Sequence, residues 1–578
     1  MEKRLAVAFV LTAVLLIVWQ TFFPPVTPPP ARKGADSAAT AAHPAAPAAA
    51  PAVAAAAGAT TPAAAARTIV VRSPLYEYRF STHGAALTWA ELEKYPSYVR
   101  RGERVQLVPS GATDVLSGSA TSAARTLDLK TTDFQASADR IDLRPGDAPK
   151  SLTFTATQGG VPIAEVTYTF KANDYTVDVN GKLPGLGGAG TLSTSLGTGL
   201  APHDAKEHGT ARELSYVAWN GSRVEREYLR SIKTADTIPG PLAWAGIKDR
   251  YFLMALLPKG REFTRLVAND RPDESYKVAG EELVSPRADG VVMLPIGTDG
   301  AFAYQAYLGP LEHDRLVAVG HQLEEVNPYG YRWLRPVIRP IAAFVLWALR
   351  EMHDKVGFAY GWVLIIFGIL VRLVTWPLNA RAMRSQMKNM AVQPVMQARM
   401  KEIQSRYAND PQRQQQEMLK MYQELGVNPF SMMSGCLPML IPMPVLITLF
   451  FVFQGAIEFR GTSFLWLPDL SLRDPLYLLP ILLVASMFAL QWISMKLGGM
   501  ADNAQAKQMM FTMPLVMGIF FWFMPSGLNL YYVSSNLASL PQQILIARER
   551  RAAMDAQKAA DAAKGKRPVP VKELPRRR

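Results

Sequence analysis

Apolar residues fall along this chain in two rhythms. In the C-terminal third they run nearly unbroken over 358–378, 432–457, 477–495, 509–524 and 528–547, and a sixth such run, 5–23, opens the sequence. Each approaches the roughly 20 residues that carry a helix across about 30 Å of hydrocarbon. Between 67 and 299 the rhythm is short and alternating, as in 76–80, 151–156 and 164–170, with turn signals such as Asn180-Gly181 between runs. Alternation with period two predicts half-buried strands, and many short strands predict an all-β domain, a sandwich. A helical stretch, 311–326, closes that domain.

Three segments fit neither rhythm. The segment 24–66 is almost entirely Ala, Pro, Thr and Gly; it has too little apolar surface to offset the entropy of ordering it and predicts a linker. The stretch 336–350 is apolar but short, with Arg339 and Arg350 near its ends, which predicts a helix lying in the membrane interface. In 379–426 the pattern predicts two helices, 379–407 and 412–425, turned by Asn409-Asp410-Pro411 and stopped at Gly426. They form an antiparallel hairpin whose first arm Pro394 should kink or split.

The fold class is therefore a multi-domain membrane protein: a helical bundle of six spans, five of them forming the core, plus an all-β sandwich domain. Its segments are the anchor 1–23, the linker 24–66, the β domain with its closing helix 67–330, the interfacial helix 331–356, the core 357–547 with its hairpin 379–426, and the tail 548–578. A cleaved signal peptide is the other reading of 5–23, since Lys3 and Arg4 precede it. Its length and the prolines Pro24, Pro25 and Pro28 favour an uncleaved anchor.

The formal charge is +14, and where it sits matters more than its size. From Arg548 to Arg578 eleven Lys or Arg stand against four acids, 379–426 carries eight bases and four acids, and 458–474 carries two bases and three acids. The positive-inside rule puts both termini and the hairpin in the cytoplasm and the β domain on the far side, the periplasm of a bacterial inner membrane. Charge held in such loops argues against nucleic-acid binding. The single cysteine, Cys436, lies inside an apolar run, so the chain has no internal disulfide.

Several motifs fail on context. Gly185-Leu186-Gly187-Gly188-Ala189-Gly190 has the spacing of a dinucleotide fingerprint, but no helical period follows, so it reads as a glycine-rich turn. His203 and His208 share no helix face and have no cysteine beside them, which makes them loop histidines rather than a metal pair. There is no phosphate loop, HExxH or GxSxG. No metal, cofactor or small-molecule substrate is expected.

Arg372 lies six residues before the end of its apolar run, about 9 Å deep by helical rise. It either snorkels to the headgroups or occupies a wet site. In the last run Asn529, Tyr532, Asn536, Ser539 and Gln543 are spaced to share one helix face, and Ser535 widens the stripe. Such a face either glues helices together or lines a wet cavity. No apolar run has an Asp or Glu in its core to neutralise Arg372, which favours water. The expectation is a hydrophilic pocket open to the cytoplasm, with Arg372 at its focus and the stripe as a wall. It would attract carboxylates on a passing polypeptide or a small anion. Of 24 methionines, 19 lie between Met383 and Met524. Met383, Met387 and Met390 share a face of the hairpin's first arm, where flexible thioethers either meet many apolar sequences or fill space between the arms.

Ile366-Phe367-Gly368-Ile369-Leu370-Val371-Arg372 ahead of Trp376-Pro377-Leu378 opens a series of ordered motifs. Val427-Asn428-Pro429 with Gly435-Cys436-Leu437-Pro438 follows, then Phe523-Met524-Pro525-Ser526-Gly527-Leu528 with Tyr531-Tyr532 and Ser535-Asn536-Leu537. Together they closely resemble the YidC family of bacterial membrane-protein insertases, and the likeness covers the whole chain in order. The resemblance implies that five core helices enclose a groove closed to the periplasm and open to the cytoplasm and the lipid, with Arg372 as its arginine. It implies that nascent membrane proteins place hydrophilic parts in that groove while apolar segments slide into lipid along the third and fifth spans. It further implies that the hairpin is needed for activity, and that the tail, here with Arg548, Arg550, Arg551, Lys564, Lys566 and Arg567, helps dock ribosomes. The β domain, similar to sugar-binding folds, would contact the Sec translocon and be largely dispensable for insertion. Two features depart from the family pattern: Pro442 stands where relatives often carry Gln, and 429–436 is longer than usual. Both bear on the polarity and register of the third span.

The resulting expectation is an insertase and chaperone of the inner membrane, not an enzyme, with lipid, nascent membrane proteins, the Sec translocon and ribosomes as partners. A secondary transporter or anion channel using Arg372 as its binding site is the competing reading, against which stands the lack of repeat symmetry between the halves. A carbohydrate-active β domain would need two carboxylates flanking a cleft, a pairing that sequence alone does not give.

Overall fold

The computed structural model describes residues 66–100, 102–204, 210–278, 281–327, 335–408, 410–424, 443–497 and 504–563. All of them fall in one compact unit, Ala63–Arg578. The expected anchor, nearly all of the linker, His208, Cys436, Pro442 and the end of the tail lie outside the described residues.

The period-two segments form three largely antiparallel sheets of five, nine and six strands. In the hairpin Lys150–Gln158/Val161–Phe170, Leu152, Phe154 and Ala156 lie opposite Tyr168, Val166 and Ala164, all buried. On the outer face Thr153 and Thr167 pair their hydroxyls at 3.0 Å. Alternate residues thus go to core and water as the pleat requires. Tyr76, Tyr78, Phe80, Phe154, Tyr168 and Phe170 are the large rings of the shared core, each worth about 1.5–3 kcal/mol when removed from water.

One turn signal is overturned. Asn180-Gly181 lies inside the strand Thr176–Lys182, paired with Ala303 and Phe302. The glycine serves packing there: a Cβ on Gly181 would sit 2.1 Å from Phe302 Cζ. The glycine-rich segment after Leu183 is a turn, a 3₁₀ helix Pro184–Leu186 followed by Gly187 at φ 72°. The closing helix is shorter than its pattern suggests. It splits into His313–Val319 and a 3₁₀ turn Leu323–Val326.

The helical part begins with Arg335–Val356. It buries Ile338, Ala342, Val345, Leu346 and Leu349 and leaves Phe344 and Trp347 exposed. Next comes Tyr360–Arg406, a single helix of 47 residues. The expected span and the first hairpin arm are therefore one element, which neither Pro377 nor Pro394 interrupts. Pro411–Glu424 packs back on it: Ile403 and Met421 are buried together against Met400, Tyr407 and Met418, and Arg399 pairs with Glu424 at 2.8 Å. Met443–Gly455, Leu478–Leu497, Ala504–Trp522 and Ser526–Ala563 complete the bundle. Among the described residues two helices are long and apolar enough to cross a membrane, over Tyr360–Pro377 and Leu478–Leu497, with a shorter apolar helix at Met510–Trp522.

Candidate functional site

Arg372 belongs to the helix that packs along Ser526–Ala563, and the two run in the same direction. Phe367 lies against Tyr531 with ring centroids 6.1 Å apart, and further along Gln542 Nε2 donates to Trp376 O at 3.0 Å. Gly368 permits the approach, since a Cβ there would sit 3.0 Å from Tyr531 O. Arg372 lies between those two contacts, half-buried, and the groups that act on it electrostatically are Tyr532 and Tyr531. Its Nε is buried and has no hydrogen-bond partner among the described residues. No described carboxylate pairs with it.

The predicted polar stripe divides by task. Asn529 is fully buried, and its Nδ2 donates to Phe521 O at 3.1 Å, tying the last helix to the end of Ala504–Trp522. Asn536 Nδ2 donates to Ser486 Oγ at 3.0 Å, and that hydroxyl donates to Leu483 O at 2.7 Å, joining Leu478–Leu497 to the last helix. The Ser539 hydroxyl donates to Asn536 O at 2.6 Å. Tyr532 packs its ring 5.0 Å from Phe521, and Ser535 and Gln543 are half-buried. One helix face therefore supplies both helix-to-helix ties and the polar surface around the arginine.

Sequence spacing missed Gln542, Ser486 and Tyr531. Gln542 stands one residue from the stripe, about 100° around the helix, yet it is fully buried and bonded to the Arg372 helix. Ser486 was legible only as a lone hydroxyl in an apolar run. Met383, Met387 and Met390 lie on the 47-residue helix, but their side chains fall outside the described residues. In the tail, Arg548 and Arg551 continue the last helix and are exposed. The Arg550 side chain, Lys564, Lys566 and Arg567 lie outside the described residues. No group of three or more described His, Cys, Asp or Glu could hold a metal ion.

Apolar helices joined to a large β domain, with an arginine between two of them, describe a helical membrane protein. Residues 351–553 match the family model of the 60Kd inner membrane protein, and residues 68–344 match that of the YidC periplasmic domain. The chain is 30% identical over 568 residues to a membrane protein insertase YidC from Syntrophus aciditrophicus, covering 94% of this chain and 99% of that one. It is 33% identical over 427 residues to its counterpart from Ralstonia nicotianae, covering 72% and 71%. Among solved structures it has a distant likeness to an active YidC insertase with the first transmembrane domain resolved, at 18% identity and a TM-score of 0.33 over 82% of this chain and 92% of that chain. The chain belongs to the YidC family of membrane protein insertases. It is an inner membrane protein whose clients are nascent membrane proteins, and it is not an enzyme.

Proposed function

We propose that this insertase works through a hydrophilic groove between the Arg372 helix and the last helix, with Arg372 as its positive focus and the stripe from Asn529 to Gln543 as one wall. The observation that carries this reading is the half-buried guanidinium with its unpartnered Nε and no described carboxylate. Asn529, Asn536 and Ser539 hold the wall in shape, while Tyr532, Ser535 and Gln543 meet the client. An acidic client residue costs about 2.5–3.5 kcal/mol at the bilayer centre on insertion scales. Water and an opposite charge partway across lower that barrier, and burial of the client's apolar segment in lipid drives the reaction. No covalent step is involved.

The bundle crosses six times with five helices in its core, both termini face the cytoplasm, and the β domain is periplasmic. The bases of 379–426 and the tail support this orientation, as does the attachment of the β domain to the loop 458–474, which carries only two bases. The exposed Arg548 and Arg551 begin a ribosome-docking tail, Met383, Met387 and Met390 present a client surface on the hairpin, and the β domain meets the Sec translocon.

Replacing Arg372 by Ala should slow insertion of clients with acidic translocated segments on the order of tenfold, the factor of about 1.4 kcal/mol. Lys should largely restore it, because charge rather than fork geometry is used. Insertion into vesicles containing the purified protein measures both. Full insertion by the Ala variant at normal protein levels would sink the groove mechanism. Truncation after Arg548 should weaken ribosome cosedimentation at low salt and matter less at high salt. Unchanged binding at low salt leaves the tail as a topology signal alone.

A further inference from the structure

The loop 456–477, between Met443–Gly455 and Leu478–Leu497, turns most of its charge inward and its largest apolar residues outward. It holds five charged residues, Glu458, Arg460, Asp469, Arg473 and Asp474. Arg460 is buried against the β domain, where its Nε donates to Asp204 Oδ1 at 2.8 Å and its Nη1 to Pro96 O at 3.0 Å. Glu458 accepts from Arg350 Nε at 2.9 Å. Asp469 is buried and takes the Gly461 and Ser471 amides, each at 2.7 Å. Asp474, also buried, takes Trp466 Nε1 at 3.1 Å and the Leu476 and Leu479 amides at 3.0 and 2.7 Å. Of the five, Arg473 is the exposed one. The loop shows Leu465, 71% exposed, and Leu476 instead. Charged side chains ordinarily face water and are buried only when paired, so this loop is not built as a water-facing one.

Leu465 stands at the tip of a two-residue hairpin turn. Phe464 N donates to Leu467 O at 2.8 Å and Leu467 N to Phe464 O at 2.9 Å, while Leu465 has φ 53°. A first central position with positive φ ordinarily goes to glycine, which has no Cβ to clash. Leucine is strained there, and being exposed it has no packing role within the chain. Strain of this kind clusters where a side chain is put to use.

The bundle fixes the level of the tip. Phe464 packs on the first turn of the Arg372 helix: its ring lies 5.4 Å from that of Trp362, and a Cβ on Gly361 would sit 2.1 Å from its Cδ2. Asp474, which holds Trp466, also binds the Leu479 amide at the start of Leu478–Leu497. The tip therefore stands beside the starts of both helices that are long and apolar enough to cross a membrane. Trp362 and Leu478 are exposed there too, and Tyr477 stacks on Trp522 at 4.3 Å. Tryptophan and tyrosine gathered at span ends mark the border between lipid and water.

We propose that the turn 464–467 is a membrane wedge: Leu465 enters the acyl chains of the leaflet nearest the β domain, and Trp466 and Arg473 stay at its headgroups. Lipid is the partner because the exposed apolar surface of the tip continues into that of the two spans. Since Arg460 ties the same loop to Asp204, the wedge also sets the height of the β domain over the bilayer. The proposal rests on Tyr360–Pro377 and Leu478–Leu497 crossing the membrane; it does not rest on the groove or its arginine.

The test follows the native side chain. In magic-angle-spinning NMR of the full chain in bilayers, with leucine and valine carbon-labelled, the Leu465 methyls should exchange magnetisation with lipid acyl protons rather than with water. Their peaks are assigned by their loss in Leu465→Asn, a residue that tolerates positive φ and so keeps the turn. Leu482, 45% exposed on Leu478–Leu497, gives the lipid-facing standard, and Val161, 64% exposed on a β hairpin, the water-facing one. Lipid contact at Leu465 should be several-fold that at Val161 and approach that at Leu482, and lipids spin-labelled on the acyl chain should broaden it in the same order. Water contact equal to that at Val161 overturns the wedge. So does contact with a second copy of the chain, read between differently labelled copies.

Discussion

Arg460 and Arg372 carry the same side chain into opposite surroundings. Arg460, between the β domain and a loop, has a carboxylate, a carbonyl and the rings of Tyr98, Tyr251 and Phe252 around it. Arg372, between two helices, has two tyrosines and a buried Nε without a partner among the described residues. A buried charge whose nitrogens each find an acceptor fixes two surfaces in register. One left unmet is a standing cost to the fold, tolerated where something else supplies the missing partner. The β-domain contact is thus built for holding; the bundle leaves a donor open, as the proposed groove requires.

The contrast can be broken most severely by removing each guanidinium in turn. Arg460→Ala strands the Asp204 carboxylate in a dry site and should cost about 3–5 kcal/mol, read by chemical unfolding in detergent. Arg372→Ala strands no carboxylate and should change the same quantity by no more than about 1 kcal/mol. Equal losses in the two variants would erase the distinction. A finer test concerns the stripe, part of which is assigned here to holding. A double-mutant cycle on Asn536→Ala and Ser486→Ala should give a coupling near 0.6 kcal/mol, the usual size for a hydrogen bond between membrane helices. A coupling of zero, with insertion impaired by Asn536→Ala, would move Asn536 from the ties to the client surface.

The β domain was legible because period two is a strong signal, and the rings of Phe154 and Tyr168 fall inward as alternation requires. Asn180-Gly181 misled because the pair marks a turn only when nothing else needs the space, and Phe302, far along the chain, needs it. Arg372 and the stripe were legible because charge and amides are conspicuous among apolar residues. Which amide ties helices and which stays open was not, since Gln542 and Gln543 differ only by rotation around the helix and the partner, Trp376 O, belongs to another element. His203 was read as a loop histidine. It does lie between strands, but its burial depends on Asp249 and on Arg460, more than 250 positions away, and no local pattern reports such a meeting.

The helix that bears Arg372 runs on for 47 residues, about 70 Å at 1.5 Å per residue, against about 30 Å of hydrocarbon. At the tilts membrane helices take, up to about 40°, one shaft of this length cannot lie wholly in oil. The border between the two solvents is therefore no joint in the chain. It is a change of side chains along an unbroken rod, from Leu370, Leu373 and Val374 to Arg381, Arg384 and Lys388, and the arginine stands a few residues to the oily side of it.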